Sequence, residues 1–196
     1  DLKHGLCFIK SRKGFQMFKK TVLLLTLIFL PLSSQPATAS THFNTLKNLS
    51  MSDIMFAQGM IPHHQQAIDM SNLALKNGAS SEIKALAKSI SLAQRKEIAQ
   101  MKYWITSSKS SMSMGHDMGM NGMLSKKQVK DLAKLKGSKF DKSFLESMIA
   151  HHKGAIDMVS MLSGSKNAEA KKLAKEIVST QSDEITKMTN LLKKIS

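Results

Sequence analysis

The sequence predicts an all-α protein, an antiparallel four-helix bundle assembled from two copies of one helical hairpin. The first observation is an internal repeat, because residues 53–70 recur as residues 141–158, a constant 88 positions later. The second is helical periodicity, since apolar residues recur every three to four positions in both copies. The third is a short break rich in Gly and Ser inside each copy, with no sustained strand alternation in the chain.

The repeat extends over both helices of each hairpin. In the first helix the recurring residues are Asp53, Phe56, Met60, Ile61, His63, His64, Ala67, Ile68, Asp69 and Met70. In the second helix, at a spacing of 87, they are Leu86, Ala87, Lys88, Ile90, Gln94, Glu97, Ile98 and Met101. One supersecondary unit used twice indicates two similar hairpins that share a core.

The elements follow in order along a single domain, residues 40–196. The four long helices are predicted over residues 52–77, 80–106, 139–163 and 167–195. The first two form repeat 1 (52–106) and the last two form repeat 2 (139–195). A linker rich in Met, His and Gly (107–123) and a short helix (125–136) connect the repeats, and this long connection predicts one crossover.

The N-terminal segment has the layout of a secretory signal peptide. Lys19 and Lys20 precede an apolar run over residues 22–32, and Ala37-Thr38-Ala39 provides a cleavage site of small residues. We therefore expect a signal peptide over 17–39, cleavage near Ala39 and a periplasmic or secreted protein without an integral membrane segment. Residues 1–16 are interpreted as an upstream extension. An uncleaved membrane anchor is the alternative.

Composition narrows the possible partners. The formal net charge is +15, but the lysines are dispersed along helical patterns and the chain has one Trp and one Tyr. A nucleic-acid site would combine a basic stripe with stacking aromatics, so we expect no nucleic-acid partner. The only cysteine, Cys7, precedes the signal peptide. Any soft metal ligand of the remaining chain must therefore be a methionine sulfur.

Each repeat places histidines and a glutamate on predicted apolar faces. His64 and His152 lie near the centres of these faces, with the neighbouring histidines and two methionines at their edges. Glu97 and Glu184 lie in the middle of the apolar stripes of the second helices. A buried carboxylate needs a partner, and the candidates are the central histidines or a metal cation. These two glutamates are predicted to accept a hydrogen bond from the ring N–H of a metal-binding histidine, on the side of the ring away from the metal.

Methionines one helical turn from the histidines suggest mixed imidazole and thioether ligand sets. Met60 is well placed to act with His63 or His64, and Met148 repeats the arrangement with the second histidine pair. Such ligands favour Cu(I) over Mg or Ca. The alternatives are structural His–Glu pairs and core methionines, including Met101 and Met188, that only fill space.

The linker is the strongest local metal signal. Its candidate ligands are Met112, Met114, His116, Met118, Met120 and Met123. The segment is too rich in Gly and Ser to form a core helix, so packing does not explain its methionines. Thioethers suit Cu(I) or Ag(I), and the imidazole would admit Cu(II). The alternative is a spacer whose methionines are incidental.

Four aspartates of the repeat receive structural interpretations. Asp69 and Asp157 face away from the histidines, which favours a surface or hydrogen-bonding role. Asp53 and Asp141 lie at helix starts, where a carboxylate satisfies free backbone N–H groups.

The doubled pattern DxxFxxxMIxHHxxAIDM around a Met-rich linker resembles the bacterial family called domain of unknown function 305. The resemblance covers essentially the whole chain after the signal peptide. It implies a ferritin-like bundle exported to the periplasm or cell surface, with copper binding and copper resistance in some members. The motif positions carried over as metal ligands are Met60, His63, His64, Met70, Met148, His151, His152 and Met158.

The leading functional hypothesis is a periplasmic copper-binding protein that sequesters or transfers Cu(I), without catalysis, in copper homeostasis or resistance. Its partners would be metal ions and a periplasmic copper-transfer protein. One alternative is a ferritin-like metalloenzyme, but the Glu-x-x-His spacing of di-metal carboxylate sites occurs nowhere in the chain. A copper redox enzyme and a structural envelope protein are further alternatives.

Overall fold

A computed structural model describes residues 47–113 and 120–195, and every element in these ranges is helical. The all-α fold class predicted from the sequence is confirmed. The five α-helices are α1 (Met51–Asn77), α2 (Ser81–Ser107), α3 (Lys126–Lys134), α4 (Gly137–Met158) and α5 (Ala168–Ile195). A single 3₁₀ segment (Val159–Leu162) follows α4. The predicted extension over 1–16 and the predicted signal peptide over 17–39 lie outside the described residues.

The helix starts have local chemical causes. Ser50 precedes α1, where its hydroxyl accepts from the Asp53 amide (3.2 Å) and its own amide donates to the Asp53 carboxylate (2.7 Å). This reciprocal capping box satisfies donors that have no partner within the helix. Ser125 starts α3 with the same kind of reciprocal box, formed with Gln128, whereas Ser80 caps α2 only by accepting from the Ile83 amide.

Contacts between distant residues set the directions of the long helices. The start of α4 lies beside the end of α1, since Asp141 accepts from the Ala79 amide (3.2 Å). Helices α1 and α4 therefore run antiparallel. At one end of the molecule Lys194 of α5 approaches Glu82 of α2, and at the other end Gln100 contacts Glu169. Helices α2 and α5 are thus antiparallel as well, and the end of α2 and the start of α4 lie at opposite ends of the bundle.

The interior has two apolar clusters with a polar layer between them. One cluster contains Phe56, Trp104 and Leu173, and the other contains Ile90 and Phe144. Between them lie buried polar side chains that come from all four long helices. They are His63, His64, Gln94, His151, His152, Gln181 and Glu184. Unpaired polar atoms are costly in an interior, so this layer is the feature that packing alone does not explain.

The structure differs from the sequence expectations in three places. The helix predicted over 139–163 tightens into the 3₁₀ segment after Met158. Helical periodicity places Leu75 on the same face of α1 as Phe56, His64 and Ile68, but Leu75 is 43% exposed because it lies near the end of that helix. On α5 helical periodicity predicts that Thr180 lies on the apolar stripe with Ile177 and Glu184, but Thr180 is exposed and the neighbouring Gln181 is buried. Each error amounts to about one position or one turn. Errors of this size are expected because periodicity assigns the buried face of a helix without information on the helices that pack against it.

Within the described ranges, none of the helices combines the length and the apolar character that a membrane crossing requires.

Candidate metal centre

Four histidines form the centre of the polar layer, and all four are fully buried. His63 and His151, which are equivalent in the repeat, meet with ring centroids 3.8 Å apart and planes inclined by 44°. Each lies 6.4 Å from its own neighbour, His64 or His152, between centroids. The sequence predicted the burial of His64 and His152. The direct contact between the other two, placed at the edges of their faces, was not predicted.

The outer histidines pair with the two glutamates, as the sequence suggested, although Glu97 is only half-buried while Glu184 is buried. Nε2 of His64 lies 2.6 Å from Oε2 of Glu97, and Nε2 of His152 lies 2.8 Å from Oε2 of Glu184. Because a carboxylate only accepts, the Nε2–H of each imidazole donates. Neither Nδ1 atom has a hydrogen-bond partner. When such a ring is neutral, its Nδ1 therefore has a free lone pair. The carboxylate that accepts from Nε2–H fixes this tautomer.

The central pair is held in the neutral form. Burial is the main cause that lowers the pKa of His63 to about 4, and the nearby His64 and His152 act in the same direction against an opposing hydrogen bond to the Asn121 carbonyl. Burial also lowers the pKa of His151 well below its ordinary value, assisted by the other three histidines. A neutral imidazole is the metal-binding form, so these residues do not need to lose a proton at neutral pH.

The end of the linker reaches this pair. Nε2 of His63 donates to the backbone carbonyl of Asn121 (3.2 Å). The next residue, Gly122, lies against the backbone of His151, because a Cβ atom at Gly122 would come within 2.9 Å of the His151 Cα. This meeting of the linker and the histidines was not predicted, since a Gly-rich segment has no periodicity from which a packing face can be assigned.

Two buried glutamines belong to the layer and were not predicted as site residues. Gln94 and Gln181 are each 2% exposed, and neither side-chain amide has a hydrogen-bond partner. They lie one turn before Glu97 and Glu184 and are equivalent in the repeat. The sequence did offer an indication of their importance, because both copies of the repeat have glutamine at this position. Buried amides of this kind bind ordered water or a ligand, because leaving them unpaired is costly.

The candidate methionines fall into three groups. Met60 and Met101 lie in one apolar cluster, and Met70, Met148 and Met188 lie in the other. Met158, predicted as the equivalent of fully buried Met70, is only half-buried. In the linker Met112 is 45% exposed, while Met120 and Met123 are half-buried. The remaining linker candidates, Met114, His116 and Met118, lie outside the described residues.

Among residues 47–113 and 120–195, no three His, Cys, Asp or Glu side chains are arranged to hold a metal ion together. The imidazoles come in pairs, and each glutamate approaches one histidine. In this part of the chain a centre with more than two strong ligands therefore has to include atoms of another kind, and the candidates are methionine sulfur, the amide oxygens of Gln94 and Gln181, and backbone carbonyl oxygen.

The aspartates have structural roles, but one differs from its prediction. Asp69 and Asp157 are exposed, as expected. Asp53 caps its own helix. Asp141 instead accepts from the backbone amides of Ala79 (3.2 Å) and Ser80 (2.9 Å), at the start of α2. The same residue of the repeat thus caps its own helix in one copy and a different helix in the other.

Comparison with solved structures gives matches over most of the chain. A DUF305 protein from Streptomyces coelicolor, thought to be secreted, is 28% identical with a TM-score of 0.70, covering 74% of this chain and 93% of its own. A DUF305 fragment from Deinococcus radiodurans is 31% identical with a TM-score of 0.68, covering 74% of this chain and 97% of its own.

A third match is CopM in its Cu(II)-bound form, 33% identical with a TM-score of 0.64, covering 74% of this chain and 97% of CopM. CopM with Cu(I) or Ag bound also matches. No curated protein matches the sequence. The sequence model of the DUF305 family, a domain of unknown function, matches residues 53–192. The chain therefore belongs to the DUF305 family.

Proposed function

We propose that this protein binds copper, as Cu(I) in preference to Cu(II), and sequesters or transfers it without catalysis. The observation that carries the proposal is the buried histidine layer, in which His63 and His151 touch and five imidazole nitrogens have no hydrogen-bond partner. Buried polar atoms without partners are rare in native proteins and indicate a missing ligand or water. Ag(I) has the same ligand preference and would compete.

The surroundings favour the monovalent ion. The central imidazoles of His63 and His151 are held neutral by burial, thioethers carry no charge, and the layer lies between two apolar clusters. Transferring a cation into such a region becomes far more costly as its charge increases, so a singly charged ion is preferred over a doubly charged one. Thioether sulfur is also a soft ligand, and it therefore favours Cu(I) over metals such as Mg and Ca that prefer oxygen ligands.

The relatives support the metal and the cellular location. CopM, which this chain resembles over most of its length, has structures with Cu(I), Cu(II) and Ag bound. Export to the periplasm or outside the cell agrees with the signal-peptide layout of residues 17–39 and with the relative thought to be secreted. We propose a role in copper homeostasis or resistance, with a periplasmic protein as the transfer partner.

A di-metal carboxylate enzyme has less support. Such sites combine carboxylates and histidines from several helices around the metals. Here Glu97 and Glu184 are each engaged by a single histidine. A stored or transferred ion needs only reversible ligation, which neutral ligands provide without proton release.

The test is a Cu(I) titration of the purified protein against a chromophoric Cu(I) chelator. The comparison is a variant in which His63, His64, His151 and His152 are replaced by Gln, which keeps polar side chains in the layer. We expect wild-type protein to remove Cu(I) from the chelator and the variant to lose at least about tenfold in affinity. Wild-type protein that competes no better than an unrelated helical bundle would refute copper binding.

A further inference from the structure

Five helix ends meet at one end of the molecule. The Asn77 side chain at the end of α1 donates to the Ala133 carbonyl at the end of α3 (3.0 Å). The starts of α2 and α4 lie there too, because Asp141 of α4 accepts from the backbone amides that precede α2. The end of α5 joins them, since it approaches Glu82 in the first turn of α2. Segments that are far apart in the sequence therefore share one surface.

This surface is strongly basic. We name it the basic end and define it as residues 75–84, 130–142 and 190–195. It contains nine lysines and three carboxylates. Asp131 already pairs with Lys134 (2.9 Å), and Glu82 lies 3.8 Å from the amino group of Lys194. The third carboxylate, Asp141, is buried and accepts from backbone amides. Lysines that are dispersed along the sequence are thus gathered in space with a large positive excess.

Four lysines of the basic end are exposed and form no ion pair with any carboxylate of the described residues. They come from α1, α4 and α5, and they are Lys76, Lys139, Lys142 and Lys193. Like charges that a fold holds at one surface repel each other, and an anionic partner removes this repulsion. The basic end can therefore attract more negative charge than its own carboxylates provide.

The start of α4 places positive charge where its own helix dipole disfavours it. Lys136 precedes the first helical residue, and the first turn, which contains Lys139, has neither an acidic residue nor a side-chain cap. Free backbone N–H groups give the start of a helix a partial positive charge, so lysines there are unfavourable. The nearby carboxylate of Asp141 is directed to α2 instead. The folding of α4 does not account for these lysines, whereas an external anionic surface would stabilise them.

A groove with apolar walls opens between α2 and α5 at the basic end. Its volume is ≈ 420 Å³, and the residues that line it include Leu86, Leu191, Lys187 and Lys194. The two leucines are half-buried and the two lysines are exposed. Leu75, at the end of α1, adds an apolar side chain that is 43% exposed. Apolar surface bordered by lysines suits an amphiphile with an anionic head better than it suits a free anion.

The composition of the basic end favours a lipid surface over a protein partner. Protein interfaces are enriched in arginine and aromatic residues and depleted in lysine. The basic end has the opposite composition, with nine lysines, no arginine and one aromatic residue, Phe140, which is fully buried. Lysine is a flexible point charge, and clusters of basic residues are attracted to bilayers that contain anionic phospholipids.

We propose that the basic end docks this protein on the surface of a membrane that contains anionic phospholipids. The lysine amino groups bind the headgroup phosphates, while Leu75 and the groove between α2 and α5 contact the apolar part of the interface. Binding of this kind is peripheral, and it weakens as salt is added because the charges are exposed. The proposal does not depend on copper, since no residue of the basic end belongs to the histidine layer.

The experiment measures binding of the full chain to vesicles of phosphatidylcholine alone, or of an equal mixture of phosphatidylcholine and phosphatidylglycerol, at low and high salt. The basic-end variant combines Lys76→Gln, Lys139→Gln, Lys142→Gln and Lys193→Gln. The control combines four changes of exposed lysines at the opposite end, Lys102→Gln, Lys109→Gln, Lys166→Gln and Lys171→Gln. The two variants have the same net charge. All proteins share the apolar run over 22–32, so binding through that segment is common to them and also occurs on neutral vesicles.

A second measurement reports orientation and does not depend on affinity. Cys7→Ser removes the only cysteine, and a fluorophore is then attached at Ser138→Cys in the basic end or at Ser163→Cys at the opposite end. Both serines are exposed. Quenching by a lipid-borne quencher shows which end of the molecule faces the bilayer.

We expect wild-type protein to bind the anionic vesicles at low salt and to be released at high salt. The label in the basic end should be quenched more strongly than the label at the opposite end. The basic-end variant should bind at least about tenfold more weakly, because each lysine near an anionic bilayer strengthens binding by about fivefold. The control should lose less than about threefold, since its lysines lie more than a Debye length from the bilayer.

Three results would overturn the proposal. Equal losses in the two variants would show that the net charge of the whole protein, and not the basic end, attracts the vesicles. Equal quenching of the two labels would show that the protein has no preferred orientation on the bilayer. Wild-type protein that binds immobilised polyglutamate but not anionic vesicles would indicate an acidic protein partner instead. Circular dichroism checks that both variants fold, and if the basic-end variant does not, the labels on the otherwise wild-type chain decide the question.

Discussion

His63 and His151 are the same residue of the repeat, and their rings lie in contact, with centroids 3.8 Å apart. Equivalent residues of the two copies thus contact each other directly at the centre of the polar layer. These two rings therefore mark the place where the two copies of the repeat meet. The pairs formed by His64 with Glu97 and by His152 with Glu184 lie on either side of it, with nearly equal N–O distances of 2.6 and 2.8 Å.

The buried histidine pair should make the protein sensitive to mild acid. The folded-state pKa of His63, about 4, lies below its ordinary value of 6.5, and that of His151 is lowered in the same direction. Between these values the unfolded chain binds more protons, so stability rises with pH in this window and is lost as pH falls from 6.5 toward 4. For His63 alone the shift corresponds to roughly 3 kcal/mol.

Urea unfolding at about pH 7.5, 5.5 and 4.5 measures this loss. In a His63→Gln/His151→Gln variant the decline over the upper part of this range should be much shallower, because the two groups responsible are gone. The carboxylates are common to both proteins, so the comparison isolates the contribution of the two histidines. An identical decline in the variant would contradict the assignment.

Much of this arrangement could be predicted from the sequence, and the reason is periodicity. A helix with apolar residues every three to four positions reveals its buried face, so His64, Glu97 and their equivalents were assigned to the interior. The contact of His63 with His151 depends on how far two helices rotate toward each other. The contact between the end of the linker and the histidines depends on the close approach of the Asn121 backbone to Gly154, where a Cβ atom would overlap the Asn121 carbonyl. Neither the rotation of the helices nor the backbone contact can be predicted from hydrophobic periodicity.

Removal of Glu184 should be costly. Its side chain is 7% exposed and accepts from the fully buried His152, so Glu184→Ala leaves a buried N–H without an acceptor. We expect a loss of about 1–3 kcal/mol in the free energy of unfolding. Glu184→Gln keeps an acceptor oxygen and should lose less.

Glu176 on the same helix provides the control for that loss. Its carboxylate forms an exposed ion pair with Lys172 (3.2 Å), so Glu176→Ala should cost less than about 0.5 kcal/mol. Equal losses in the two alanine variants, measured by urea unfolding at neutral pH, would show that the buried pair contributes no more than a surface pair.

Asp141 should stabilise α2, to which it does not belong. Its carboxylate accepts from the Ala79 and Ser80 amides, which have no acceptor within α2. Asp141→Ala should therefore destabilise the protein by about 1–3 kcal/mol and increase hydrogen exchange at the first turn of α2. Asp157→Ala, an exposed position of the same repeat, is the matched control, with an effect within about 0.5 kcal/mol. Faster exchange at the start of α4 instead of α2 would restore the simpler interpretation that Asp141 caps its own helix.

Gly122 and Gly137 both have a positive φ, so alanine substitutions at the two positions distinguish the cost of backbone strain from the cost of steric crowding. Gly122 lies in the turn over residues 120–123 at the end of the linker, which the bond from the Met123 amide to the Met120 carbonyl closes. Gly137 (φ +60°) has open space where a Cβ atom would lie, with no neighbouring atom within 4 Å, so Gly137→Ala should cost only the strain of its backbone conformation, about 1 kcal/mol. Gly122 (φ +80°) has the same kind of conformation, but a Cβ atom there would overlap the Ala150 carbonyl and crowd His151. Gly122→Ala should therefore displace the turn as well as strain it.

Hydrogen exchange at the Leu124 amide measures this displacement, because that amide donates to the Gln66 side chain only while the turn is seated. Exchange should accelerate in Gly122→Ala, where the added methyl group pushes the turn away from α4, and it should stay unchanged in Gly137→Ala, which lies outside the turn. Slow exchange in both variants would mean that the turn tolerates the methyl group and is seated less tightly than its contacts indicate. The backbone fit at Gly122 would then contribute little to holding the linker against the histidine pair.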